Sequence, residues 1–509
     1  MKLIKVGIFW AVPDKYEGGW NFYEVVKSYE LSAANSLGFI DYPYSHYEKW
    51  DDVRSANETP DCYHYPRGRV LYDTKQNKHR IFADECLDEY DLQEIVELFE
   101  IEDFELCRDE HYVSSFTKKH KQKVDMPVLT YNVLRGKDKI GENLIEISYG
   151  DTKILVELGK ALDGGDELSD IEKSVLETPY NAVIVSHYHA DHAGLIEFKK
   201  DCPIYIGSGA YRILAAMNEY RGQAFAGNIT TYQNGRAFTV GGIRITPFLC
   251  DHSAFDSYML LFEAGGKSIL YTGDFRFHGR KEKEQLLARL PKKVSTLICE
   301  GTNVQTGKPC FSESVLEDTL VGIMRQSEKP LFVLQSATNI DRLVSVYRAA
   351  KRSGRILYED NYAALIATAA GGKIPRPDVF KDVFAFTPRV LYGRRKDMFF
   401  EFENKRGLRQ IPKKTNFVML VRPSMLEYVK KLAERMDLSR AVLIYSMWIG
   451  YKERPEMAEF LTEVEKMGIK IKTLHTSGHA SADDIELLKQ TVSADEYVTV
   501  HTSATTENE

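Results

Sequence analysis

The chain has 509 residues, 43% of them hydrophobic and 28% charged, so it is long enough for two to four domains with an apolar core in each. Its formal charge of −7 argues against a uniformly basic nucleic-acid binder, and no stretch approaches the roughly 18 apolar residues of a membrane helix. The seven cysteines (Cys62, Cys86, Cys107, Cys202, Cys250, Cys299, Cys310) form no close pairs, and the opening residues do not read as a signal peptide, so a reducing cytoplasm fits best.

The charge is unevenly spread. Residues 1 to 120 hold about 14 Lys and Arg against about 24 Asp and Glu, whereas 301 to 470 hold about 29 against about 20. The later portion is therefore the candidate surface for a polyanion.

In chain order, Leu3 to Trp10 reads as a strand, followed by aromatic-rich sequence with Trp20, Tyr42, Tyr44, Tyr47 and Trp50. A turn at Tyr65 to Gly68 leads into a strand to Asp73, with Arg80 to Ala83 as its hairpin partner and Leu87 to Phe99 as an acidic helix. We read residues 1–122 as a small α+β domain, serving as a partner surface, in substrate selection or as cover for a sheet edge. Arg67 and Arg69 suit a phosphate, but arginines beside a turn glycine more often form surface ion pairs. Lys118 to Lys123 is a basic, linker-like run. Beyond it, Gly141 to Gly150 and Thr152 to Leu158 read as a hairpin turning at Tyr149 to Asp151.

The apolar run Ala182 to Val185 then ends abruptly in His187, His189, Asp191 and His192. Three imidazoles and a carboxylate on one turn at a strand end have no packing rationale, and imidazole nitrogens suit zinc and its neighbours. Histidines two residues apart can converge on one ion, and the following Asp191–His192 pair is offset toward a second. A helix is expected from about Ala193 to Lys200. Two later strands end in His252 and Asp274, and a carboxylate there can bridge two ions through its two oxygens. Arg276 and His278 follow closely enough to face the site or to form salt bridges. The next strand ends in Glu300.

About 170 residues then pass before histidines return, far more than a loop needs. Short apolar strands at Pro330 to Leu334, Arg355 to Tyr358, Asn416 to Val421, Ala441 to Tyr445 and Lys470 to Leu474 alternate with helical stretches, which predicts a parallel sheet with helices on both faces. After them come His475-Thr-Ser477-Gly-His479-Ala-Ser481 and, later, His501.

The block from His187 to His192 resembles the His-x-His-x-Asp-His signature of the metallo-β-lactamase fold, an αββα sandwich. The inserted sheet and the returning histidines are similar to the β-CASP branch, which includes ribonuclease J. This implies an α/β protein with a metallo-β-lactamase domain over 123–308 and 473–509, a β-CASP domain over 309–472 and the extra amino-terminal domain. The resemblance puts Glu300 at the branch's motif A, His479 at motif B and His501 at motif C, and gives Glu157, where the family usually has aspartate, a supporting role behind the ligands. It implies two Zn2+ (Mn2+ being the other candidate), one on His187, His189 and His252, the other on Asp191, His192 and His501, with Asp274 and a hydroxide shared. Asp191, His479 and Glu300 would be catalytic: the hydroxide attacks phosphorus, Asp191 orients it, and His479 steadies charge or protonates the leaving oxygen. His475, Ser477, Gly478, Ala480 and Ser481 would cradle a phosphate at a helix start, with Arg389 to Lys396, Lys405 to Arg409 and Lys413-Lys414 as further backbone contacts. The expectation is a nuclease of single-stranded RNA or DNA, RNA favoured, without membrane association and open to homo-oligomerisation. A metallohydrolase of a small ester, lactam or phosphodiester, and a non-catalytic nucleic-acid-binding subunit, are the alternatives.

Overall fold

The computed structural model describes residues 127–161, 167–222, 227–304, 310–388, 402–413 and 415–502, and within 1–126 the strands alone. The chain divides into two compact units, Met1–Met126 and Pro127–Glu509.

The first unit holds one seven-stranded sheet in chain order: β1 (Ile4–Val6), β2 (Phe9–Pro13), β3 (Trp20–Glu24), β4 (Phe39–Tyr47), β5 (Gly68–Asp73), β6 (Lys78–Ala83) and β7 (Phe104–Cys107). Neighbours are antiparallel except β6 and β7, which run parallel. The strand expected over Leu3 to Trp10 is instead two antiparallel strands in which Val6 pairs with Phe9. Gly7, inside an otherwise apolar run, was the available signal. The helix expected at Leu87 to Phe99, Arg67 and the Lys118 to Lys123 run lie outside the described residues.

The second unit opens with a sheet ordered β13-β12-β11-β10-β9-β8, from β8 (Thr130–Arg135), β9 (Leu144–Tyr149), β10 (Thr152–Val156), β11 (Ala182–Val185), β12 (Ile204–Gly207) and β13 (Ile229–Tyr232). All four residues of β11 are buried, because its two faces are both covered. Ala182 and Ile184 face a second sheet, while Val183 and Val185 face helices that include Ser208–Arg221. That second sheet starts as β14 (Phe238–Val240), β15 (Ile243–Cys250), β16 (Ser257–Ala264), β17 (Lys267–Tyr271) and β18 (Lys293–Glu300). Its outer face packs on helices through Leu286, Ile485 and Leu488, which completes a helix–sheet–sheet–helix stack.

After β18 the chain builds a third sheet before it returns. β19 (Leu331–Leu334), β20 (Ile356–Asp360), β21 (Val383–Phe386), β22 (Phe417–Val421), β23 (Val442–Tyr445) and β24 (Lys470–Thr473) are all parallel, in the order β21-β20-β22-β19-β23-β24. Separate cores cover its two faces, as the strand–helix alternation predicted. β25 (Ser493–Val500) then pairs parallel to β18, with Val500 beside Glu300. The fold is thus a mixed α/β sandwich with an inserted parallel domain. Among the described residues no helix is long and apolar enough to cross a membrane.

Candidate metal centre

β15, β17, β18 and β25 run in one direction, and their carboxyl ends meet the carboxyl end of β11 at one edge of the sandwich. At or just past those ends stand His252, Asp274, Glu300, His501 and the run from His187. The helix expected from Ala193 to Lys200 is replaced by a helix at Ala190–Ala193 and a 3-10 turn at Ile196–Phe198. Gly194 ends the first turn, where the chain passes so close to Ala190 O and Lys160 that no side chain fits. Backbone bonds from Asn143 N to Asp191 O (3.0 Å) and from Leu158 N to His192 O (2.8 Å) lash the turn to β9 and β10. Gly159 lies so close to Asp191 O that no side chain fits.

The ligand-type atoms fall into overlapping groups, each mutually within 4.8 Å: His187, His189, His252 and Asp274; Asp191, His192, Asp274 and His501; Asp274, Glu300, His479 and His501. Asp274 belongs to all of them. It is 2% exposed, and neither of its oxygens makes a hydrogen bond, nor does Nε2 of His187. Nε2 of His252 faces Nδ1 of His189 at 3.1 Å. Two nitrogens on one tetrahedral ion, each at about 2.0–2.1 Å, would stand roughly 3.3 Å apart. Buried imidazole and carboxylate lone pairs converging on one point are costly unless protons or a cation meet them. The residues therefore fit divalent ions.

His187, His192, His252 and His501 each have an anchor on the far side of the ring, which fixes its orientation. His252 Nδ1 meets Gly478 O at 2.6 Å, His501 Nδ1 meets Thr302 Oγ1 at 2.7 Å, and His187 Nδ1 meets Ser186 Oγ at 3.0 Å. Glu157, fully buried in a left-handed conformation (φ 64°), stands 3.2 Å from His192 Nδ1 and accepts from Ser186 N. His501 is likewise left-handed (φ 56°), its N–H donating to Gly136 O, and such backbone strain costs of order 1–3 kcal/mol.

Burial drives the His187 and His252 rings well below the usual imidazole range and His189 to about 4, so they are neutral and able to ligate. Burial alone would raise the Asp191 carboxyl, but His192 and His501 hold it below the carboxylate range. His479 differs. Burial lowers it, yet Glu300 first and Asp274 next hold its ring up at about 9. Its Nδ1 lies 3.0 Å from Glu300 Oε2, and its side chain is 23% exposed where most of the cluster is sealed. Glu300 is pinned by Phe275 N (2.8 Å), Ala480 N (3.3 Å) and Thr302 Oγ1 (2.8 Å).

The expected phosphate cradle needs correction. The N–H groups of His479, Ala480 and Ser481 already donate to Ser477 Oγ, Glu300 and Asp484, so they do not form an open anion site. Ser481 caps the helix Ala482–Thr491 through a capping box. Ser477 Oγ accepts from Asn303, and the Gly478 carbonyl is taken by His252. His475 sits among Arg342, Glu313 and Arg276, its ring lowered to about 4 by burial and then by Arg342. Among the basic runs, Arg406 stacks 4.2 Å above the Phe384 ring. Arg389 to Lys396 and Lys414 lie outside the described residues.

Of the two roles open to Arg276 and His278, the structure shows salt bridging, within a buried charge network beside the cluster whose extent the sequence did not reveal. Arg276, fully buried, donates to Asp251 Oδ1 (2.8 Å), Asp341 Oδ2 (2.9 Å), Glu313 Oε1 (3.4 Å) and Ser477 O (2.9 Å). Arg342 donates to Glu313 (3.0 Å), Thr476 O (3.2 Å) and Ser446. His278 belongs here too, between Asp484 and Ser477 O. The network ties the loop bearing His252 and the His475 to His479 run to the helices Glu313–Arg325 and Ile340–Arg352 of the inserted domain. Also missed were Asn143, directly before β9, and Thr302 and Asn303, two and three residues past β18, whose only signal was a polar residue near a strand end. Deeper in the insert, Glu359 and Gln335 are buried with no partner for either side chain, and burial pushes the Glu359 carboxyl well above the usual range.

The family described as "Beta-lactamase superfamily domain" matches residues 168–311. Ribonuclease J of Mycobacterium tuberculosis is 27% identical over 255 residues, covering 45% of this chain and 43% of that protein. Ribonuclease J 1 of Streptococcus pyogenes is 26% identical over 236 residues (43% and 42%), and ribonuclease J of Sinorhizobium meliloti 22% over 298 (53% of each). The chain thus matches about half the length, or less, of these relatives. A crystal structure titled as a protein of unknown function from Enterococcus faecalis V583 superposes with a TM-score of 0.61 at 20% identity, over 75% of this chain and 96% of that one, a likeness of fold.

Proposed function

We propose that this chain, as a ribonuclease J-like member of the β-CASP branch of the metallo-β-lactamase superfamily, is a metal-dependent nuclease acting on single-stranded RNA. The observation that carries the reading is Asp274, a buried carboxylate that no well-aligned hydrogen bond claims and that is common to a three-histidine group and to the Asp191, His192 and His501 group. Those two groups would hold two ions. Mixed imidazole and carboxylate donors suit zinc. Bound there, the pair would acidify a water and offset charge on a phosphodiester.

The chain's own groups would do the rest. Asp191, held by His501 Nε2 at 3.0 Å, presents an acceptor that orients a water beside the ligands. His479, steadied by Glu300 and with its side chain 23% exposed, would donate a proton to the leaving oxygen. Exclusion of water from His187, His189 and His252 keeps their lone pairs available for metal.

Hydrolysis of end-labelled single-stranded RNA and DNA by protein of measured metal content tests the reading, with Asp191→Ala and His479→Ala alongside. Metal-dependent cleavage abolished in both variants supports it. Protein carrying about two ions per chain, as a two-metal site requires, yet cutting neither polymer at any ionic strength would move the reading to a small ester or phosphodiester.

A further inference from the structure

The end of β23 carries an aromatic and basic cluster that the hydrolytic reading leaves unused. Trp448 and Ile449 are 60% and 64% exposed, among the largest exposures of any bulky apolar residues described. Such exposure is costly unless something covers it. The Trp448 ring lies on Gly450, where any Cβ would collide with it, and Tyr451 meets it edge-on with centroids 5.4 Å apart. Its carbonyl accepts from Tyr445 Oη at 2.8 Å. The ring is thus held in place before anything binds.

Cations surround it. Arg454 stacks 4.3 Å from the Tyr451 ring, and Lys452 lies 4.7 Å from the Tyr445 ring while donating to Thr473 Oγ1 at 3.0 Å. Lys470 and Lys472 stand exposed on the neighbouring edge strand β24. Edge lysines commonly prevent strand pairing, but they do not account for a preorganised tryptophan beside them. The position also matters. Leu474 N donates to Tyr445 O (3.0 Å) and Ser446 Oγ to Leu474 O (2.6 Å), so the strand end that bears Trp448 is bonded to the start of the run leading to His479.

We propose that Trp448, with Tyr451, Lys452 and Arg454, is a stacking platform that takes a base of a single-stranded nucleic acid running into the site, an inference that rests on the nuclease reading above. The rings meet the base face, which every nucleotide has, and the cations meet the flanking phosphates, so the platform selects single strands without selecting sequence.

The test is equilibrium binding of a fluorescein-labelled single-stranded RNA to the full chain, with chelator present so that nothing is cut. One stacked base is worth roughly 1–3 kcal/mol, so Trp448→Ala should weaken binding by roughly 5- to 150-fold, with Trp448→Phe restoring most of it. Gly450→Ala, which displaces the ring without removing it, should weaken binding too. A polyphosphate of equal charge has no bases, and its affinity should be indifferent to Trp448→Ala. Equal RNA binding by wild type and Trp448→Ala overturns the platform even if RNA is cut. RNA bound through Trp448 but never cleaved upholds the platform and sinks the nuclease reading. A wild type that binds no single strand overturns the platform as well.

Discussion

The metal cluster and the charge network beside it are both crowded with buried ionisable groups, and they satisfy them in different ways. Around Arg276 and Arg342, each of Asp251, Glu313 and Asp341 accepts from a guanidinium. A few residues away, neither oxygen of Asp274 makes a well-aligned hydrogen bond, nor does Nε2 of His187, although His192 Nε2 stands 3.2 Å from Asp274 Oδ2 and other rings crowd within 4 Å. Burial of charge is common to both regions, so burial does not identify the functional one. Convergence of unpartnered lone pairs does. Glu359 is a third case, without partner and without fellow ligands, and it is resolved by staying protonated.

The largest effect should come from removing the shared carboxylate. Asp274→Asn keeps the shape and loses the charge, so bound metal measured by mass spectrometry and nuclease activity should both vanish. Wild-type metal content in that variant would show that the cluster is another paired network. Next, Arg276→Met leaves three carboxylates buried without their common cation. A loss of about 3–5 kcal/mol in urea unfolding is expected, and a loss below about 1 kcal/mol would place the network with exposed pairs.

Two glutamates sharpen the contrast through pH. Burial raises Glu313, but Arg342 outweighs it and the carboxyl sits at about 2, below its ordinary 4.5. Its contribution is therefore present above about pH 4.5 and lost as pH falls toward about 2. Glu313→Gln should flatten the acid limb of stability followed by circular dichroism. An unchanged limb would mean that Arg342 does not hold this carboxylate. Glu359 has the opposite sign, its folded pKa being raised, so its contribution is full below pH 4.5 and is lost as pH rises. Glu359→Gln should raise the melting temperature modestly at neutral pH and not near pH 4, and a variant that is less stable at neutral pH would show that the carboxylate is ionised and paired.

Much of this was readable from residues. The run from His187 to His192 stands out because its ligands are neighbours in sequence at the end of an apolar strand, and β11 lies where expected. The parallel insert was legible from strand–helix alternation. What stayed hidden are pairings made only by tertiary structure. Thr302 anchors His501 across 199 positions, and Arg276 reaches Ser477 across 201. The supposed cradle at Ser477 to Ser481 was misread because capping and Glu300 claim the amides that a sequence shows as free.

The pairing of β25 with β18 also has a temporal consequence. Every member of the His187, His189, His252 and Asp274 group precedes the insert, whereas the Asp191, His192 and Asp274 group gains His501 only when β25 arrives. During synthesis, the residues of the first group are complete long before those of the second, with the whole parallel domain made in between. A nascent chain would then hold a half-assembled cluster, completed only by the strand that closes the sheet.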